Sequence, residues 1–472
     1  MTKWPGCWRP TGLLLLFLAG GGCTTYQPKP LDAESVREGL QPPDMAAVRA
    51  RALEIQHPIL HPVELQAEEG LTPDGAAILA VLLNPSLRAA RDQRDLAEAQ
   101  AQAAGILPNP VLNFDMEVPT GGDREGKVNA YGLGLSWDVA SLISHAARVA
   151  EGRSRVDAVD MDIAWREWQV AQGAKAAVYE LEGLQQQVAL FQQLDQRLSR
   201  LRSHVDQAVA EGSMTALDAN AVRGAEANAH ERMLKLEKQA ARERLTLLSL
   251  MGLPPDTPIR LSEDIDLPVE IELGDSSLHE ELEQRWLDLV ALRRGYESQE
   301  EAVHAAVLEQ FPRVSLGPTL NRDTDNVRTT GFGLNIELPI FDRNQGKIAI
   351  ERATRQQLYD EYLSRIAEAR SDVEKIKSGI HFLNEQIAAA RETEAQLGSL
   401  VREQTKALEQ GRTTALACSA TWSEFFDTQA GIVGFQGELA RAIVALELAT
   451  GYYSIPGLAG TSTAPSTAGE NP

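Results

Sequence analysis

Apolar positions along this chain follow two periods. Leu181, Leu184, Val188, Phe191, Leu194, Leu198, Leu201 and Val205 recur at steps of three and four, the spacing of one packed face of a helix. No proline interrupts the chain between Pro119 and Pro254, or between Pro339 and Pro456. Proline breaks helix interiors, so these intervals permit very long helices. A helix from about Ala140 to His204 would run on the order of 100 Å, several times the width of an ordinary domain.

The second period is two. Leu112, Phe114, Met116 and Val118 alternate with polar residues, and so do Tyr131, Leu133, Leu135 and Trp137 with Gly132, Gly134 and Ser136. Further on, Val314, Leu316 and Leu320 alternate with Arg313, Ser315, Gly317 and Thr319, and Phe332, Leu334, Ile336 and Leu338 with Gly333, Asn335 and Glu337. Period two predicts strands with one apolar and one polar face. Gly121 to Lys127 and Asn321 to Thr329 have the composition of the intervening loops.

The pattern occurs twice. Gly212-Ser213-Met214-Thr215-Ala216-Leu217 aligns without gaps on Gly411-Arg412-Thr413-Thr414-Ala415-Leu416, and the same interval sets Met251-Gly252 on Thr450-Gly451. Upstream, Pro110 falls opposite Pro312 at nearly the same spacing. The predicted fold is mainly α with a membrane β-barrel contribution, two tandem repeats of strand, strand and long helical hairpin. Four strands cannot cover their apolar faces within a chain whose remainder is long helix, and they are too few to close a barrel in lipid. Three chains would supply twelve, an even number within the range of membrane barrels.

Charge narrows the partners. Asp and Glu total 67 against 45 Lys and Arg, a net charge of −22 that repels phosphate backbones, so no nucleic-acid partner is expected. Of the three cysteines, Cys7 and Cys23 lie near the N-terminus and only Cys418 in the body, which leaves no disulfide framework there. Lys3 and Arg9, the apolar run Leu13 to Leu18 and the small residues Gly20, Gly21 and Gly22 read as an export signal. Ending in Cys23, it resembles a bacterial lipoprotein signal in which Cys23 becomes the lipidated first residue, although Gly20 stands where an aliphatic residue is usual. The run is too short to span a bilayer. No other stretch is apolar enough to do so as a helix.

These elements resemble the TolC-like outer-membrane efflux protein family from about Thr72 to Tyr453. The resemblance rests on Asn84-Pro85-Ser86-Leu87, Leu107-Pro108-Asn109-Pro110, Leu338-Pro339-Ile340-Phe341-Asp342-Arg343-Asn344-Gln345-Gly346, the turns at Gly212 and Gly411, and Leu250-Met251-Gly252-Leu253-Pro254. It implies a homotrimer with a twelve-stranded barrel in the outer membrane, continued by an α-helical tunnel across the periplasm. Its tips would meet a periplasmic adaptor protein that joins an inner-membrane pump of the RND type. Gly212, Ser213, Met214, Thr215, Gly411, Arg412, Thr413 and Thr414 would be the adaptor-facing residues, or merely hairpin bends. Members with an acidic constriction carry Asp after the second turn, whereas this chain has Asp218 after the first and Ala417, Cys418 and Ala420 after the second. The Phe341 to Gly346 element is similar to the branch that exports heavy-metal cations. Drug export, polypeptide secretion and a structural coiled-coil envelope lipoprotein remain the alternatives.

The expected organisation is a signal peptide over 1–22, an extended arm over 23–71, repeats over 72–252 and 276–453 joined by an acidic linker over 253–275, and a disordered tail over 454–472. No cofactor is expected and no enzyme activity. The eight histidines are scattered, His57 and His61 excepted, with no His-Glu-x-x-His run. The prolines beside His57 and His61 assign both to the extended arm. Cys418 is expected to be a packed small residue, and Trp137 to belong to an interfacial aromatic girdle.

Overall fold

The computed structural model describes residues 25–41, 43–65, 70–263, 265–266 and 285–452, apart from the side chain of Asp218. The expected signal peptide, Cys23, most of the acidic linker beyond Asp266 and the expected tail lie outside these residues. The chain divides into two units, residues 1–43 and 44–472.

The arm is not extended throughout. In the first unit α1 (Ala33–Gly39) is closed by a reciprocal cap, Ser35 N donating to Asp32 Oδ1 at 2.8 Å and Asp32 N to Ser35 Oγ at 3.2 Å. In the second unit α2 (Met45–Leu53) starts at the N-cap Asp44. Asp at the cap position of each was the sequence signal for these helices. Beyond α2 residues 54–65 form no helix, and His57 pins them to the body. His57 Nδ1 accepts from the backbone N–H of Ile59 and of Leu60, both at 3.0 Å. Nε2 must therefore carry the proton, which it donates to the Ala164 carbonyl at 3.0 Å.

From α3 (Pro73–Leu83) and α4 (Pro85–Ala104) the chain enters β1 (Val111–Glu117) and β2 (Ala130–Asp138), then α5 (Ser141–Ala210) and α6 (Ala216–Leu250). The second repeat follows as α7 (Leu287–Leu308), β3 (Arg313–Arg322), β4 (Arg328–Glu337), α8 (Gln345–Glu409) and α9 (Ala415–Thr450). At 70 residues α5 is about 105 Å long. Its predicted stripe is buried from Leu181 to Val205, except for the half-buried Val188.

Asn84 shows why the Asn-Pro-Ser-Leu motif begins α4. Its Oδ1 accepts from Ser86 N at 2.8 Å, Pro85 takes the first-turn position that needs no donor, and its Nδ2 donates to Leu250 O at 2.9 Å, tying α4 to the end of α6. Gly252 ends α6 at φ +63°, so close to Leu83 O that a Cβ would sit 2.6 Å away. Gly451 ends α9 at φ +68°, with Arg285 O at 2.8 Å from the same position. The repeats thus share a joint: a left-handed glycine seated on the carbonyl that precedes the outgoing helix.

The seam between α5 and α9 is polar as well as apolar. Trp168 Nε1 donates to Leu448 O at 3.3 Å, and Lys175 Nζ, 1% exposed, meets Glu447 Oε2 at 2.9 Å and Asp74 Oδ1 at 3.4 Å. Burial offsets much of the attraction, but removing one partner would strand a charge at about 3–5 kcal/mol. A one-turn slip of α5 on α9 would have the same effect, so the pair holds the register of the seam.

The four strands form one antiparallel sheet in the order β1-β2-β3-β4. The predicted loop from Asn321 to Thr329 is shorter than its composition suggested: Asn321 pairs with Thr329 and Arg322 with Arg328, so the ladder runs on through polar residues and only 323–327 turn. Between β2 and β3 the pairing skips the positions around Leu135 and Pro318, where proline has no N–H to give. There the Leu135 carbonyl presses on Gly317 so closely that a Cβ would overlap it.

Gly317→Ala should therefore force β2 and β3 apart and abolish assembled protein in the membrane fraction. Gly134→Ala, whose Cβ would meet only Thr319 Cγ2 at 3.8 Å, should be tolerated; equal yields of the two on a membrane blot would contradict this account. His57 gives a pH dependence. Burial, with Arg91 acting in the same sense, outweighs the Ala164 carbonyl and Glu167 and holds its pKa below the ordinary 6.5. Below about pH 6.5 the released arm takes up a proton before the docked arm does, so docking is fully supported above that pH and weakens as pH falls through it. Protease protection of residues 44–65 should drop on acidification, and His57→Gln should flatten the profile; an unchanged profile would assign the dependence elsewhere.

Candidate functional site

Two regions stand out, one at each end of the long helices. At the sheet, the register stacks the apolar positions on one face. Leu112 lies beside Leu135, Phe114 beside Leu133 and then Leu320, and Leu316 beside Leu334. These side chains are not covered: Phe114 is 63% exposed, Phe332 68% and Leu334 61%. So continuous an exposed apolar surface is a contact surface. The opposite face carries Asn113, Asp115, Thr319, Asn321 and Asn335 between five glycines, among them Gly132, Gly331 and Gly333. The outer edges of β1 and β4 have no strand partner among the described residues.

Strands of 7 to 10 residues are about the length that tilted strands need to cross hydrocarbon. Tyr131 and Trp137 stand six residues, about 20 Å, apart on the apolar face. Trp137 is half-buried there and donates from Nε1 to Pro108 O at 2.8 Å. A sheet with one apolar exposed face, one polar face and two edges unpartnered among the described residues is what a piece of a larger closed sheet would present.

At the far end, the two turns share the same pair of closing backbone bonds. Gly212, at φ +75°, donates to Val209 O at 3.0 Å and Ser213 N to Ala208 O at 2.9 Å. Gly411, at φ +68°, donates to Leu408 O at 3.0 Å and Arg412 N to Ala407 O at 2.8 Å. This is the paired closure that finishes a helix with a left-handed glycine. Both turns close over one apolar cluster containing Leu198, Leu201, Val205, Val222, Trp422 and Phe426, which brings the eight predicted tip residues to the same end of the helices.

They are not equally available there. Gly212, Ser213, Thr215, Gly411 and Arg412 are exposed, whereas Met214 packs partly against the cluster and Thr413 donates its hydroxyl to Gln404 Oε1 at 2.8 Å. Thr414 caps α9, its hydroxyl accepting from Ala417 N at 3.2 Å. Leu217 and Leu416, 79% and 49% exposed, lie just beyond the turns at matching positions of the repeat. The repeated leucine after each turn was the signal for them. Cys418 is fully buried in the cluster, as a small packed residue, and burial pushes its thiol pKa up. Ala417 and Ala420 flank it, so no carboxylate follows the second turn at these positions.

Among the described residues no group of His, Cys, Asp and Glu is arranged to hold a metal ion, and no helix is long and apolar enough to cross a membrane.

Comparison with known proteins agrees with this division into halves. The chain is 24% identical to the cobalt-zinc-cadmium resistance protein CzcC of Cupriavidus metallidurans over 63% of its own length and 70% of that protein. It is 25% identical to the pyoverdine export outer membrane protein OpmQ of Pseudomonas aeruginosa over 64% and 70%. The crystal structure of CusC superposes with a TM-score of 0.68 at 18% identity, covering 82% of this chain and 94% of that one, and so shares its fold. The sequence profile of the outer membrane efflux proteins matches twice, over residues 79–253 and again over 278–452, one match per repeat, and the chain belongs to that family.

Proposed function

We propose that this outer membrane efflux protein assembles as a homotrimer into a passive duct. Three four-stranded sheets would close a twelve-stranded barrel in outer-membrane lipid, and the long hairpins would continue it as a periplasmic tunnel. The observation that carries the reading is the sheet itself, oily and exposed on one face, polar on the other and, among the described residues, unpaired at both edges. A structural coiled-coil lipoprotein has no use for such a sheet. The duct does no chemistry of its own; a periplasmic adaptor engages the tips at Gly212 to Thr215 and Gly411 to Thr414, with Leu217 and Leu416 beside them, and an inner-membrane pump of the RND type supplies the work. Cys23 is the lipidated residue that tethers the mature chain. An unmodified Cys23 in the mass spectrum would remove that anchor and leave the barrel argument standing.

The cargo we propose is heavy-metal cations, supported by the relation to a cobalt-zinc-cadmium resistance protein. The relation to a pyoverdine exporter favours a second reading, a small organic cargo. Deleting the chain should lower resistance to cobalt, zinc or cadmium salts; unchanged metal resistance together with retention of an organic compound would select the second. The purified protein should form conducting pores in planar bilayers as a trimer, and a monodisperse non-conducting monomer would overturn the duct.

The tips give a separate prediction. A Cβ at Gly212 or Gly411 would meet nothing within 4 Å, so the strain of a substitution there is purely conformational, on the order of 1 kcal/mol for any Cβ and more for a β-branched one. Gly411→Val and Gly212→Val should preserve trimer assembly and membrane abundance while abolishing efflux in cells. Normal efflux at normal abundance would reduce these turns to hairpin bends.

A further inference from the structure

The rung of the sheet nearest the hairpin loops differs from the rest of its apolar face. Met116 pairs with Tyr131, Tyr131 with Arg322 and Arg322 with Arg328, so two arginines stand directly opposite each other where the neighbouring rungs carry Leu320 with Thr330 and Pro318 with Phe332. Like charges directly across a ladder repel. Elsewhere this hairpin avoids the arrangement: at the opposite end of the same two strands, on the polar face, Arg313 lies across from Glu337 at 4.0 Å.

Neither arginine has a carboxylate within ion-pair distance among the described residues. The two acids of the β3–β4 turn are engaged elsewhere, Asp325 with Lys127, and Asp323 through Oδ1 with the N–H groups of Asp325 and Val327 at 2.9 Å. The Arg322 guanidinium is held over the Tyr131 ring at 5.9 Å, and its Nε is buried without a hydrogen-bond partner. Arg328 is exposed. Two guanidinium groups, one fixed by an aromatic ring and carrying an unsatisfied donor, form a fork for a doubly charged oxyanion.

Its position identifies the bearer of that anion. The rung borders the exposed apolar face and lies at the end of the sheet away from α5 and α8, which both leave from the other end. We infer that Arg322 and Arg328, beside Tyr131, form a binding site for the phosphate of a phosphorylated lipid headgroup in the leaflet that faces away from the helical tunnel. This rests on the membrane duct proposed above. A lipid suits the place better than a soluble anion, because its acyl chains would lie along Leu320, Phe332 and Leu334 while its phosphate bridges the two charges whose repulsion is otherwise unrelieved.

The test titrates diphosphoryl lipid A into mixed micelles holding the purified trimer. Arg322→Gln and Arg328→Gln should each weaken binding by roughly tenfold, as expected for a lost charge-assisted hydrogen bond, and the double variant should abolish it. Arg328→Lys should retain part of it, and Arg313→Gln should bind like wild type. A native gel before each titration verifies that the trimer is intact. Undiminished binding by an intact double variant overturns the site, as does equal binding of lipid A stripped of its phosphates. Inorganic phosphate raising the dissociation temperature of the trimer as much as lipid A overturns the lipid as its occupant. A wild-type chain that neither trimerises nor conducts would instead remove the duct on which the inference rests.

Discussion

A strand edge placed in hydrocarbon presents backbone N–H and C=O groups that no solvent will satisfy, at several kcal/mol apiece. The edges of β1 and β4, which have no strand partner among the described residues, beside an apolar face that none of those residues covers, make this the governing constraint on the molecule. A single copy cannot meet it with its described residues, because the long helices that follow β2 and β4 leave the sheet from one end. In the proposed duct, assembly is thus a condition for the strands to exist in lipid, and the long helices would gather around a common axis because the strands they grow from do. In the proposed barrel the other glycines of the polar face would line the interior, where removing side chains is the direct way to keep a passage open, while Gly317 also makes room for the Leu135 carbonyl.

Duplication accounts for much of the remaining architecture, though not all. The tip turns share their closing backbone bonds, and the glycines that end α6 and α9 sit on corresponding carbonyls. The buried ion pair does not repeat. At the interval that relates the two tips, Lys175 falls on Glu374, which pairs at the surface with Lys377, and Glu447 falls on Leu248 in an apolar core. Two seams that began alike therefore have different registers fixed by different means, one by charge and one by packing.

Period and punctuation made the long elements readable from sequence. The proline-free intervals and the Leu181 to Val205 stripe correspond to α5, which runs on to Ala210 because the glycine turn, rather than the end of the stripe, stops it. The four strands were visible because one face needs apolar residues wherever it meets its surroundings. What escaped was everything set by distant partners. The ladder continues through Asn321, Arg322, Arg328 and Thr329 because each is held by the strand opposite, while their composition alone suggests a loop. His57, Lys175 and Glu447 look like ordinary surface residues until the fold brings Ala164 to the first and the other two together. The short helices of the arm were announced only by Asp32 and Asp44, single capping residues without an apolar stripe behind them.

The pairing of β2 with β3 joins Trp137 to Leu316 across the whole first helical hairpin and the segment between the repeats. Closing so long a loop is slow, and until it closes β1 with β2 and β3 with β4 are two separate hairpins, each marginal alone. The helical hairpins need only local contacts and can form first. The chain must therefore cross an aqueous compartment with its helices made and its oily strands unjoined, the state in which exposed edges most readily pair with the wrong neighbour. Its biogenesis, more than its finished stability, is where dependence on an escorting factor would be greatest.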